Sequence, residues 1–147
     1  VTAAKIIAGA ARRHQENELS EVQEMTPYQL LGGEGVVRWL TDRFYDIMDS
    51  EPAVKPLRDM HPADLAGSRQ KLFMFLSGWL GGPSLYMEAF GHPRLRMRHM
   101  PFAVDEAARD QWMLCMRRAV GELLVEEWLK DKLLEAFYNT ADFMRNR

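Results

Sequence analysis

Apolar residues recur at spacings of three and four along most of this chain, which is the period of an amphipathic helix. No alternating apolar–polar run bounded by hairpin turns interrupts that pattern, so strands are not expected. Val36, Val37, Leu40, Phe44, Ile47 and Met48 share a face and predict a helix over 34–48. Leu65, Ser68, Leu72, Phe75 and Trp79 do the same for 63–80. Trp112, Met116, Ala119 and Leu123 line one side of a helix predicted over 105–124. Trp128, Leu133, Phe137 and Met144 point inward on another, predicted over 125–145.

Breaker residues divide these segments. Thr26-Pro27 with Gln29 reads as a capping box with proline at the first helical position, and Gly32-Gly33 ends that short helix. Pro52 and Pro56 turn the chain into a corner that continues to His61-Pro62. Gly81-Gly82-Pro83 closes the third segment, and Asp105-Glu106 suits the positive end of the fourth. Residues 84–104 hold Gly91, Pro93 and Pro101 and read as an irregular stretch with one short helix. A stretch of that length inside a compact domain is usually functional. Residues 1–20 are weakly amphipathic and partly charged, either a helical extension or a flexible arm. VTAAKIIAGAARR lacks a basic leader before its apolar patch and does not read as a signal peptide.

Composition narrows the class of protein. The 147 residues suit one domain, and 47% hydrophobic residues exclude a disordered chain. A net charge of −2 gives no electrostatic reason to expect nucleic acid. No apolar run approaches the ~20 residues that span a bilayer. Cys115 is the one cysteine, so no internal disulfide forms and a reducing cytoplasm is the expected setting. Ten methionines beside seven phenylalanines and four tryptophans suit either a soft core or the walls of a pocket for a large flat ligand.

The candidate chemistry is sparse. His14, His61, His92 and His99 show no helical pairing, and no zinc motif, phosphate loop or nucleophile elbow is present. Cys115 falls mid-helix, where a buried inert thiol is the ordinary reading. His99 lies in RLRMRHMPF. By residue type it is a surface or capping histidine, or else the single axial imidazole that a haem iron requires. Tyr45 and Trp112 read as core or interface residues whose O–H and N–H would need acceptors.

The stretch GHPRLRMRHMPF at 91–102, followed by RDQWMLCM at 109–116, closely resembles the truncated haemoglobins of group II. The likeness runs back through DLAGSRQKLFMFLSGWLGGP at 64–83 and FYDIMD at 44–49, and forward into the last helix. It covers roughly residues 26–143 and leaves 1–25 as an extension before a globin domain over 26–147. The resemblance implies an all-α, globin-like two-over-two helical sandwich around one haem b. In it, helices 34–48 and 63–80 face helices 105–124 and 125–145, and residues 84–104 form the proximal segment. His99 then matches the iron ligand. Tyr45, His61, Trp112 and the gate residue Ser68 match the ligand side, where family members vary at the position of His61. Leu72 and Phe75 match apolar residues above the haem. Lys71, Tyr86 and Arg98 match propionate partners, and Leu95, Phe102 and Met116 match haem-packing positions.

On this resemblance the ligands are dioxygen, carbon monoxide and nitric oxide. Tyr45, Trp112 and His61 would offer up to three hydrogen-bond donors to a ligand carrying negative charge, so slow oxygen release is expected. The small Ser68 leaves entry little obstructed. Two function classes stay open. One is oxygen binding, scavenging or sensing; the other is redox turnover of nitric oxide or peroxide. The second needs an external reductase, because the chain has no flavin motif and no room for a reductase domain. A homodimer also stays open. An unperturbed histidine titrates near 6.5, so pH-dependent hydrogen bonding at His61 is expected between pH 5 and 8.

Overall fold

The computed structural model describes residues 25–147, and the readings made on 1–24 lie outside them. Thr26 caps α1 (Pro27–Leu31) as predicted. Its hydroxyl accepts from the Gln29 N–H, and the Gln29 side chain returns to the Thr26 N–H. Gly32 ends α1 with φ 116°, a left-handed conformation that a side chain resists. The elements that follow are α2 (Glu34–Ser50), a 3₁₀ turn (Pro52–Val54), α3 (Lys55–Asp59) and α4 (Ala66–Trp79). After them come α5 (Leu85–Phe90), α6 (Leu95–His99), α7 (Glu106–Gly121) and α8 (Glu127–Phe143). Among the described residues no strand occurs.

Two helix pairs make the fold. α2 packs on α4 and on α7, α7 packs on α8, and α5 lies against α4. Val37, Leu40, Phe44 and Met48 from α2, Leu76 and Leu80 at the end of α4, Met113 and Met116 from α7 and Leu133 from α8 form the buried centre. Removing such side chains from water is the main stabilising term, about 25 cal/mol per Å² of apolar surface. Glycine permits one close approach. A Cβ on Gly82 would lie 2.4 Å from the Tyr28 ring, where the Tyr28 N–H donates to the Leu80 carbonyl and ties α1 to the end of α4.

The structure corrects three expectations. Two helix bounds differ: α7 stops at Gly121 rather than 124, and α4 begins at Ala66 rather than 63, where the Asp64 carboxylate accepts from the Ala66 N–H at 2.9 Å. Residues 84–104 hold two short helices, not one. The third correction is the most consequential. The stripe Ser68, Leu72, Phe75 and Trp79 is only half-buried, and the core face of α4 is Phe73, Leu76 and Ser77. α4 is apolar on two faces: one packs on its partner helices, and the other faces a cleft. A single-stripe reading of the periodicity finds only one of them.

Candidate functional site

One wall of the cleft is built around His99. The chain enters with Gly91 at φ 80° and Arg94 at φ 47°, the one non-glycine residue with positive φ among those described. Such a conformation costs about 1–3 kcal/mol and persists where surrounding contacts impose it. Here the Arg94 N–H donates to His92 Nδ1 at 3.0 Å, which assigns His92 to the turn. α6 is a single turn, and within it His99 Nδ1 lies 2.6 Å from the Leu95 carbonyl oxygen. A carbonyl only accepts, so Nδ1 carries the hydrogen and Nε2 keeps its lone pair. Asn146 latches this wall from the far end of the chain. Its Nδ2 donates to the carbonyls of His99 (3.2 Å) and Phe102 (2.9 Å), and its Oδ1 accepts from the Val104 N–H (3.0 Å).

The opposite side gathers residues from three elements. Tyr45 on α2 is buried, with its ring edge-on to Phe44 at 5.0 Å and 5.9 Å from the His61 ring. Phe44 also meets Trp112 of α7 at 5.0 Å. Burial pushes the Tyr45 phenol up to about 12, against the opposing pull of Arg69, so it stays protonated at neutral pH. Neither the Tyr45 hydroxyl nor the Trp112 indole N–H has a hydrogen-bond partner among the described residues, and neither atom is sealed from the cleft. Two donors therefore stand beside Phe44 without a hydrogen-bond acceptor among the described residues.

His61 behaves differently from the expectation that it donates. Its Nδ1 lies 2.9 Å from the Leu57 carbonyl, the same i−4 arrangement as in His99. Burial is the main cause that lowers its pKa below 6.5. The fields of Arg58 and His99 add to this, and the Leu57 bond opposes it. His61 is thus neutral at pH 7 with its hydrogen on Nδ1, and Nε2 can only accept.

The remaining predicted residues spread around the cleft. Ser68, Leu72 and Phe75 follow one another along the half-buried stripe of α4. Phe75 and Trp79 line an apolar cavity of about 180 Å³ between α4 and α5, together with Met74, Tyr86, Met87 and Pro93. Leu95 is half-buried and Phe102 is exposed on the His99 side. Lys71, Tyr86 and Arg98 are joined at one rim. Lys71 lies over the Phe90 ring (5.9 Å), Phe90 meets Tyr86 (5.0 Å), and Arg98 lies over Tyr86 (5.7 Å). Met116 stands apart from these, because it has no accessible surface and belongs to the core.

Comparison with known proteins bears on this arrangement. Residues 26–146 match the bacterial-like globin family. The group 2 truncated hemoglobin YjbI of Bacillus subtilis is 37% identical over 121 residues, 82% of this chain and 89% of that protein. The chain belongs to the group II truncated haemoglobins. Among solved structures, the cold-adapted truncated hemoglobin of Pseudoalteromonas haloplanktis TAC125 is 47% identical with a TM-score of 0.82. The match covers 84% of this chain and 99% of that one. The truncated oxygen-avid haemoglobin of Bacillus subtilis is 37% identical with a TM-score of 0.74, covering 83% and 100%. Globins of this family bind haem and, through it, diatomic ligands.

The residues of this globin fit such a group. A flat apolar macrocycle suits the half-buried apolar stripe of α4 and the partly exposed apolar residues Leu95 and Phe102 beside His99. An imidazole whose Nδ1–H is held by a carbonyl presents the lone pair that a haem iron takes. Four residues at the site escaped the sequence reading. Arg58 donates to Asp49 and to the carbonyls of Pro62 and Ala63, stapling the corner that holds His61. Arg69 of α4 pairs with Asp42 and Asp46 of α2 beside the Tyr45 ring. Gln111 and Asn146 act across 54 and 47 positions. Asp42 and Asp46 at i, i+4 are a visible acidic pair, but nothing local announces its arginine.

Proposed function

We propose that this globin holds haem b on His99 Nε2 and binds dioxygen on the side where Tyr45 and Trp112 stand, as an oxygen-binding or scavenging protein. The observation that carries the reading is a carbonyl-held imidazole in a globin domain whose Tyr45 hydroxyl and Trp112 indole N–H, both packed beside Phe44, donate to no other described residue. Haem iron supplies the ligand-binding centre. The chain supplies orientation and charge. The Leu95 carbonyl keeps His99 in one tautomer, the apolar stripe of α4 with Leu95 and Phe102 would exclude water from the macrocycle, and Lys71, Tyr86 and Arg98 would hold its propionates. Tyr45 and Trp112 donate to the negative end of a bound ligand. The oxygen-avid character of the Bacillus subtilis relative supports the same assignment. A buried thiol at Cys115 suits a reducing cytoplasm.

The bare Nε2 of His61 favours redox turnover as the second reading, since an acceptor beside the ligand suits a protic substrate such as hydrogen peroxide. That reading requires an external reductase. Reconstitution with haem tests the first. A Soret band with a five-coordinate ferrous form is expected, and His99→Ala should lose that axial bond. A ferrous spectrum unchanged by His99→Ala would reject the assignment.

A further inference from the structure

Gln111 stands one residue before Trp112 on α7, and its contact with Leu57 has so far been given no role in the chemistry of the site. Its Oε1 accepts from the Leu57 N–H at 3.0 Å, in a part-buried contact across 54 positions of chain. Leu57 is the third residue of α3, which opens on Lys55-Pro56 and has no side-chain cap at Val54. In that first turn a backbone N–H has no helical acceptor. Gln111 therefore supplies, from another helix, the cap that α3 lacks locally. The next polar atom along the same residue is the Leu57 carbonyl, which accepts from His61 Nδ1 at 2.9 Å. Gln111 Oε1, the Leu57 backbone and the His61 ring form a continuous chain of hydrogen bonds from α7 to the ligand side of the cleft.

We propose that Gln111 is a positioning residue that, by capping Leu57, fixes the corner so that His61 turns an unprotonated Nε2 toward Tyr45 and the ligand, where it accepts hydrogen bonds and donates none. The proposal rests on the haem-binding reading above for the identity of the ligand side. Its consequence is discrimination by chemistry. Standing 5.9 Å ring to ring from Tyr45, His61 takes a hydrogen bond from a ligand that carries hydrogen, such as hydrogen peroxide. It offers nothing to carbon monoxide or dioxygen.

The test uses the haem-loaded, carbon monoxide-bound protein with ¹⁵N-labelled histidine, read by ¹⁵N–¹H correlation and by the carbonyl stretching band. His61 is expected to carry its proton on Nδ1. Gln111→Met, similar in size but without the acceptor, should lose that single tautomer and shift the stretching band. Gln111→Glu keeps an oxygen for the Leu57 N–H and should restore the tautomer. In a His61→Leu background, Gln111→Met should no longer move the band. Three results would overturn the proposal: a native His61 protonated on Nε2, a Gln111→Met protein with tautomer and band as in the native chain, or a band shift that persists without His61. A chain that takes up no haem would instead overturn the functional reading. The tautomer measurement, made on the haem-free protein, would then still decide the role of Gln111.

Discussion

At the scale of single residues, donors and acceptors decide how the ligand side behaves. The sequence counts three potential donors there, and the structure leaves two, because His61 spends its one hydrogen on Leu57. A hydrogen bond to a charged group contributes about 1.5–3 kcal/mol, and 1.4 kcal/mol is about tenfold in an equilibrium constant. Tyr45→Phe and Trp112→Leu should each speed oxygen dissociation by about 10–100-fold, as followed by stopped-flow replacement with carbon monoxide. Rates within about twofold of the native protein would reject the donor role. His61 gives a pH prediction. Unfolded, it titrates near 6.5; folded, it is held lower, with Arg58 and His99 facing it and a Tyr45 phenol that stays neutral. Between those two values the unfolded chain binds more protons, so this residue's contribution to stability falls as pH drops through 6.5 and is gone below the folded value. Urea denaturation should therefore lose stability more steeply below pH 6.5 in the native protein than in His61→Leu. Equal slopes would reject this assignment.

At the scale of elements, the wall that carries His99 is a weak helix made firm from outside. α6 is one turn long, begins at a strained Arg94, and buries none of its residues. A helix that short does not hold itself together in water. Asn146 ties it to the end of the chain through two carbonyls and the Val104 N–H. Asn146→Ala should therefore lower stability by about 1–3 kcal/mol and speed haem transfer to an excess of acceptor apoprotein. Haem transfer at the native rate would show that α6 needs no latch. Helix positions were legible in the sequence because periodicity and punctuation are local signals. The core face of α4, Phe73, Leu76 and Ser77, was not, since which of its two apolar faces packs on α2 is decided only when the helices meet.

At the scale of the whole molecule, the two helix pairs share one core, and the cleft is the part that this core leaves half-covered. Leu133 lies at 0% exposure in that core and is not among the residues assigned to haem. Leu133→Ala should cost about 2–5 kcal/mol in chemical denaturation while leaving the oxygen dissociation rate near native. A large change in that rate would mean that core and cleft are not separable. Cys115 lies in the same core, where burial pushes its thiol up to about 11. It should resist alkylation at neutral pH until the protein unfolds, and fast labelling of the native chain would contradict its placement.

By itself, the sequence determined the helical period, the breaks at Pro52, Gly81-Gly82 and Pro101, and, through the motif around His99, the family. These are properties of neighbouring residues, carried by local geometry and a contiguous pattern. The tertiary structure alone decided which nitrogen of His61 bears the hydrogen, that Arg69 sits between Asp42 and Asp46, and that Gln111 and Asn146 hold the two sides of the cleft. The His61 contact spans only four positions but depends on the local backbone path at the corner, and the others depend on groups tens of positions apart meeting within about 3 Å. Hydrogen bonds weaken steeply away from their preferred distance and angle, and the spacing of residues along a chain carries no information at that precision.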